Sequence, residues 1–291
     1  SGATRLTSGN NNFNTISNSV LSTGEWYRFY VVKSGVYALN KSFLQSLGLN
    51  MAGVDPRKIK IYGNGGRMIP LRNDVYYPED LAENAIQVIG EGDGVFNDSD
   101  SVLFYAEGLD NYNRESDTYN NLYADKSYYY INVQGQDGKR MPLMTEPTGA
   151  ATLTVNNFND SQYHEVDLIN IGRLGRRWFG EDFDVTSEQS FAFNFPGINT
   201  AVPVKMRVIA GGICSVPTTF KVSANNTEVG NMTIPKLGKF DAARADSLVN
   251  NNITASENIV IKLSYNNAGV PSSKAYLDLI QLRCERALKG Y

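Results

Sequence analysis

One histidine and two cysteines are all the imidazole and thiol chemistry that this chain of 291 residues holds. A cysteine nucleophile needs a base within hydrogen-bond reach and an electropositive setting. Cys214 lies in Gly-Gly-Ile-Cys-Ser-Val, between two strand patterns, and His164 lies in Tyr-His-Glu-Val-Asp, at the expected start of a strand. Neither follows a helix N-terminus, so the pair reads as structural and no catalytic residue is expected. A single histidine also excludes multi-histidine metal sites, and no Cys-x-x-Cys pair is present. A Cys214–Cys284 disulfide is an open alternative in an oxidising compartment, and would constrain the unfolded chain by about 4 kcal/mol. Against it, Cys284 falls in an apolar strand, where a free thiol packs as a small hydrophobe.

Oxygen ligands offer one further candidate. The run Asp93-Gly94-Val95-Phe96-Asn97-Asp98-Ser99-Asp100 places hard donors on a tight loop, and calcium prefers such donors. Asp93, Asn97 and Asp100 are the weak calcium candidates; no other cofactor is expected. The competing reading is a turn whose Asx side chains bond their own backbone, because the glycine falls at the wrong offset for an EF-hand and no glutamate closes the site. Arg173, Arg176 and Arg177 beside Trp178 could hold a phosphate or a glycan by stacking and charge. The alternative there is an interdomain contact, with Trp178 and Phe179 buried and the arginines paired to Glu181, Asp182 or Asp184. Tyr and Trp in the first half could form a sugar platform, although half-buried strand faces use tyrosine too.

Composition narrows the class further. A hydrophobic share of 42% with 20% charged residues is that of a globular chain, and the length suggests about two domains. A formal net charge of −3 offers no broad basic surface, so no nucleic acid partner is expected. No stretch approaches 18 apolar residues, so this segment has no membrane span. No phosphate-binding or nucleophile-elbow motif follows a strand pattern; Gly63-Asn64-Gly65-Gly66 sits between two strand-like runs and reads as a turn. The first residues carry no basic start and no apolar core of a signal peptide.

Strand signals dominate the elements that must position these residues. Glu25–Val32 and Val36–Leu39, separated by Lys33-Ser34-Gly35, read as a hairpin. Asn40 reads as the N-cap of a short helix with Phe43, Leu44 and Leu47 on one face and Gly48 beyond its end. Short strands are expected at Lys58–Tyr62, Met68–Arg72, Ala85–Ile89, Val102–Ala106 and Tyr128–Val133. The second half alternates in Val204–Ala210, Phe220–Ala224, Glu228–Ile234 and Ile259–Tyr265, with a turn at Asn225-Asn226, which argues a β-sandwich. Tyr276–Cys284 keeps no single phase, as a strand buried on both faces or a bulge would. The expectation is an all-β chain of two tandem β domains. A barrel-like or mixed-sheet N-terminal domain with one short helix comes first, then a C-terminal β-sandwich. The bounds are a flexible lead-in at 1–20, a first domain at 21–145, a linker at 146–160 and a second domain at 161–291.

A series of short motifs in one order resembles a known family. It runs through Gly24-Glu25-Trp26-Tyr27-Arg28, Ser34-Gly35-Val36-Tyr37, Leu44 to Gly48, Ile61-Tyr62-Gly63-Asn64-Gly65-Gly66 and Asp80-Leu81-Ala82-Glu83-Asn84-Ala85-Ile86. It continues through Asp93–Asn97 with Asp100, Leu103-Phe104-Tyr105-Ala106-Glu107-Gly108, Tyr128-Tyr129-Tyr130 and Arg177-Trp178-Phe179-Gly180-Glu181. Together they resemble the N-terminal region of the type IX secretion system sortases of Bacteroidetes, the PorU proteins of the gingipain-like C25 peptidase family. Tyr276-Leu277-Asp278-Leu279-Ile280 with Arg286 and Leu288 is similar to the run just before that family's peptidase domain. The stretch Leu109-Asp110-Asn111 lacks the Pro and Trp of family members.

The resemblance implies an exported protein at the outer membrane or cell surface, with an outer-membrane β-barrel protein as partner. It also implies a Cys-His dyad in a peptidase domain that would follow Tyr291, so the dyad does not fall on Cys214 or His164. The chain stops soon after an apolar strand, as a cut between domains would. The expected function is therefore a non-catalytic N-terminal module that positions the absent catalytic domain and docks partners. A carbohydrate-binding or adhesin-like surface β-protein is the alternative.

Overall fold

The computed structural model describes residues 18–173 and 175–289. The chain divides into two compact units, Ser1–Glu146 and Pro147–Tyr291, and the described residues are all-β with one short α-helix.

The first unit contains β1 (Tyr27–Val31), β2 (Gly35–Asn40), β3 (Lys60–Tyr62), β4 (Glu83–Asn84), β5 (Gln87–Ile89), β6 (Ser101–Ala106) and β7 (Ser127–Asn132). They form two antiparallel sheets, ordered β1-β7-β3-β4 and β2-β6-β5. Neither closes into a barrel and every strand pairing in them is antiparallel, so the all-β expectation holds while the barrel-like or mixed-sheet form gives way to two antiparallel sheets. One core joins the two sheets: Phe29, Val31, Ile61, Tyr129 and Ile131 from the first meet Leu39, Val88, Val102 and Phe104 from the second. Phe104 stands edge-on to Phe29 and Tyr129 at centroid distances of 5.8 and 5.4 Å, the arrangement that aromatic quadrupoles favour.

The expected hairpin of β1 and β2 does not form. β1 pairs with β7 and β2 with β6, so Lys33-Ser34-Gly35 is a corner between sheets. The corner is held from elsewhere: Ser34 N and Oγ both donate to Asp110 Oδ1 at 2.8 Å, and Leu109 N donates to Val32 O at 2.8 Å. A Cβ on Gly108 would stand 2.3 Å from Val32 O, so only glycine allows this crossing. Met68–Arg72 is not a strand either; Pro70 interrupts pairing, and Ile69 and Leu71 are exposed. The helix, α1 (Lys41–Ser46), follows its sequence signals. Asn40 Oδ1 accepts from Phe43 N at 2.9 Å. Gly48 takes φ +92°, with Gly48 N donating to Gln45 O and Leu49 N to Leu44 O, the pattern of a Schellman end. Most of the 1–20 lead-in lies outside the described residues. Its end is tied down, since Asp80 accepts from Ser19 Oγ at 2.8 Å and Val20 N at 2.7 Å.

The second unit contains β8 (Asn157–His164), β9 (Asp182–Phe183), β10 (Glu188–Asn194), β11 (Val204–Ile213), β12 (Thr218–Ala224), β13 (Thr227–Ile234), β14 (Arg244–Ile253), β15 (Asn258–Asn266) and β16 (Lys274–Ala287). Its sheets run β10-β15-β12-β13 and β14-β11-β16-β8, with β9 beside β16, and their inner faces form one core. This is the expected sandwich. Asn225 and Asn226 take φ +45° and +67° between β12 and β13, as a two-residue type I′ turn requires. β8 begins at Asn157, so residues 157–160 of the stretch read as linker are strand. His164 closes that strand rather than opening it.

β16 explains its broken phase by both proposed causes. Ile209 pairs with Leu279 and Ala210 with Leu277, so Asp278 is an extra residue, a bulge. Ala275 and Leu277 before it, and Ile280, Leu282 and Cys284 after it, all face the core. The outward side is buried as well, Leu279 being 0% and Gln281 6% exposed.

Candidate functional site

The residues singled out for chemistry are kept apart. Cys214 Sγ is buried beside Thr218 Oγ1 (3.2 Å), Tyr265 Oη (3.6 Å) and Lys274 O (3.7 Å). Burial pushes the Tyr265 phenol up, with the Cys214 thiol beside it adding to the effect. His164 instead places Nε2 2.7 Å from Glu181 Oε1, and its ring 4.6 Å from Phe191. Burial, the largest single influence, would raise the Glu181 carboxyl, but the hydrogen bond to His164, a backbone hydrogen bond and the charge of His164 together hold the group below the usual range. Cys214 and Cys284 are both buried free thiols, which overturns the disulfide alternative. Burial pushes Cys284 up to about 11, so little thiolate forms at neutral pH.

The Asp93–Asp100 loop turns the carboxylates of Asp93 and Asp100 onto itself, while Asp98 pairs with Lys41 Nζ at 2.9 Å. Asp93 accepts from Val95 N at 2.9 Å and Asn97 Nδ2 at 3.0 Å, and Asp100 Oδ2 accepts from Asn97 N at 2.7 Å. These are Asx-type bonds. Among the described residues no group of three or more His, Cys, Asp or Glu side chains is placed to hold a metal.

Of the Arg173–Trp178 segment, Arg173 lies in a turn, its N donating to Asn170 O at 3.1 Å, and residues 175–181 form a loop laid against β16, Gly180 N donating to Leu277 O at 2.7 Å. Phe179 is buried, and a Cβ on Gly211 would stand 2.4 Å from its ring. Arg177 reaches neither Glu181, Asp182 nor Asp184. It pairs with the bulge residue, Arg177 Nη2 to Asp278 Oδ2 at 2.5 Å, while Glu181 meets His164 and Asp184 meets Lys274. The bulge thus turns a carboxylate outward to the loop that covers the strand.

The tyrosines of the first unit make a surface that the sequence alone does not assemble. On β1 and β7, Phe29, Val31, Tyr129 and Ile131 face inward, so Arg28, Tyr30, Tyr128 and Tyr130 face outward. The register sets Arg28 opposite Tyr130, Tyr130 opposite Tyr62, and Tyr30 opposite Tyr128. Trp26 meets Tyr62 edge-on at 5.1 Å. Arg28 lies 4.7 Å over the Tyr128 ring and Lys126 Nζ 4.8 Å over that of Tyr30. With the whole chain present, Tyr30 is 53% and Tyr128 38% exposed. One end of the face is closed by the loop after β7, where buried Lys60 donates Nζ to Gln134 O and, at 2.9 Å, to Gln136 O.

No protein-family model matches the chain, and no curated protein matches it by sequence. Among solved structures, dimeric latent PorU from Porphyromonas gingivalis matches with a TM-score of 0.71 at 18% identity, over 93% of this chain and 25% of that one. This chain therefore spans a quarter of that protein's length, and the likeness shows a shared fold. A carbohydrate-binding module of type CBM36, in complex with calcium and xylotriose, has a TM-score of 0.29 at 13% identity, over 44% of this chain and 99% of that one. A CBM61 module in complex with β-1,4-galactotriose has a TM-score of 0.24 at 18% identity, over 33% and 60%. Neither score carries an argument about this chain.

Proposed function

We propose that this chain is the non-catalytic N-terminal module of a cell-surface C25-type cysteine peptidase or sortase of the type IX secretion system. Its work is to position a catalytic domain carried elsewhere in the parent protein and to dock partners, among them an outer-membrane β-barrel protein. The parent is exported and held at the outer membrane. The observation that carries this reading is the fold match of both units in sequence order to one protein, over 93% of the chain; the ordered motifs described above point to the same family. The separation of Cys214 from His164 agrees with a supporting role. Fold does not by itself fix function, so the test is made on the parent. Full-length protein with and without residues 1–291 is followed for cargo processing and for co-purification of β-barrel partners. Loss of either on truncation supports the module; a truncated enzyme that processes cargo and keeps its partners overturns it and favours glycan binding by this region.

A further inference from the structure

The outward face of β1, β7 and β3 combines three features. It is rich in Trp, Tyr and Arg, the side chains that carry most binding energy at protein interfaces. Its two cations, Arg28 and Lys126, rest on tyrosine rings and meet no carboxylate within ion-pair distance among the described residues, although the chain as a whole is acidic. By contrast Arg57, Arg67, Arg72 and Arg140 of the same unit all hold an acidic partner. Finally, the rings are not laid flat. Tyr30 and Tyr128 meet at 68° and Trp26 and Tyr62 at 82°, and the cations cover two of the ring faces. A sugar ring stacks on an open aromatic face, and this geometry removes it. The platform read from composition is therefore a poor seat for a glycan and a good one for a folded surface bearing carboxylates.

We infer that this face docks an acidic patch of a partner protein, with Arg28 and Lys126 meeting its carboxylates and Tyr30, Tyr128, Tyr62 and Trp26 supplying the apolar contact. The inference deepens the docking half of the proposed function and rests on it, but it is measured on the 291-residue chain alone. Its failure is thus distinguishable from failure of the positioning role, which is read in cargo processing by the parent. The probe is a random glutamate–tyrosine copolymer, titrated calorimetrically, with alginate as an acidic glycan of comparable charge. The copolymer should bind, more weakly as salt rises from 50 to 200 mM, as exposed charge pairs do. Arg28→Gln with Lys126→Gln, and separately Tyr30→Ala with Tyr128→Ala, should each weaken it by about tenfold or more. Lys205→Gln with Lys221→Gln, on exposed positions of the second unit, should leave it unchanged. Circular dichroism confirms folding; Arg28 and Lys126 hold no ion pair, so their loss leaves the unit intact. Absence of copolymer binding overturns the inference, as does binding that survives the Arg28 and Lys126 changes. Alginate bound as tightly through the same residues overturns it in favour of a glycan.

Discussion

β7 and β16 occupy equivalent places in their units, each a central strand with a neighbour on both sides, yet their outward faces are treated oppositely. Over β16 the chain lays its own loop, residues 175–181. Phe179 fills the gap above Gly211, and Arg177 neutralises the carboxylate that the bulge turns outward. Outward Leu279 is sealed from water. Over β7 the described residues of the first unit lay only the Lys60-anchored loop at one end, and Tyr128 stays open with Arg28 upon it. A sheet face roofed by its own chain contributes to stability; one left open with unpaired cations contributes little to folding and is available to another molecule. Substitutions on the two faces should therefore have different consequences.

The largest expected effect separates the units altogether. Leu277→Ala removes a fully buried side chain of β16 and should cost the second unit about 2–5 kcal/mol. Calorimetry should show its unfolding midpoint fall while that of the first unit holds. A common shift would mean the two melt as one body. Elastase cleavage in the exposed stretch around Leu143, Met144 and Leu153 should leave both transitions in place.

Arg177→Ala strips a bond from buried Asp278 and should destabilise by about 1–3 kcal/mol. Arg28→Ala should change stability by less than about 0.5 kcal/mol. Urea titration of the two variants tests the contrast directly, and equal costs would erase it.

A smaller, pH-dependent difference follows from Glu181. Its folded pKa lies below its unfolded value, so its contribution is present above the ordinary carboxylate range and is lost as pH falls through that lowered value. Glu181→Gln should flatten the acid limb of the second unit's stability profile and leave the first unit's unchanged.

The smallest effect is expected at the Asp93–Asp100 loop. Its oxygens already serve the loop backbone, so calcium should bind no more tightly than the millimolar range of extracellular modules. Calorimetry with wild type and Asp93→Ala decides; submicromolar binding would show a preformed site.

How much of this was legible depended on how far each element is specified by its own residues. β11, β12 and β15 alternate because one face of each meets the core, and α1 carries both caps in its sequence. The edge strands β8, β10 and β14 gave little signal. β8 is largely polar (Asn-Phe-Asn-Asp-Ser-Gln-Tyr-His), and an edge strand can remain polar where water replaces a neighbour. Their free sides are closed by side chains, as where Gln162 Nε2 donates to Asn194 O at 2.6 Å and Asn250 Nδ2 to Val229 O at 2.7 Å. A corner and a hairpin share one local signature, a short polar break between apolar runs, so Ser34-Gly35 carries the signal of the commoner device. The docking face was the least legible feature. Arg28, Tyr130 and Tyr62 become neighbours only through the order β1-β7-β3, which no local pattern records.

The bulge in β16 has a consequence for how the strand tolerates insertion and deletion. Without Asp278 the strand would read Ala275, Leu277, Ile280, Leu282 and Cys284 inward in unbroken alternation. The residue is in effect a one-position graft on an otherwise regular strand, and its carboxylate is engaged by Arg177. Deleting it should shorten the chain by one residue, regularise the ladder and keep the core, while unfastening the loop above. Sandwich and roof would then be separable by a single codon.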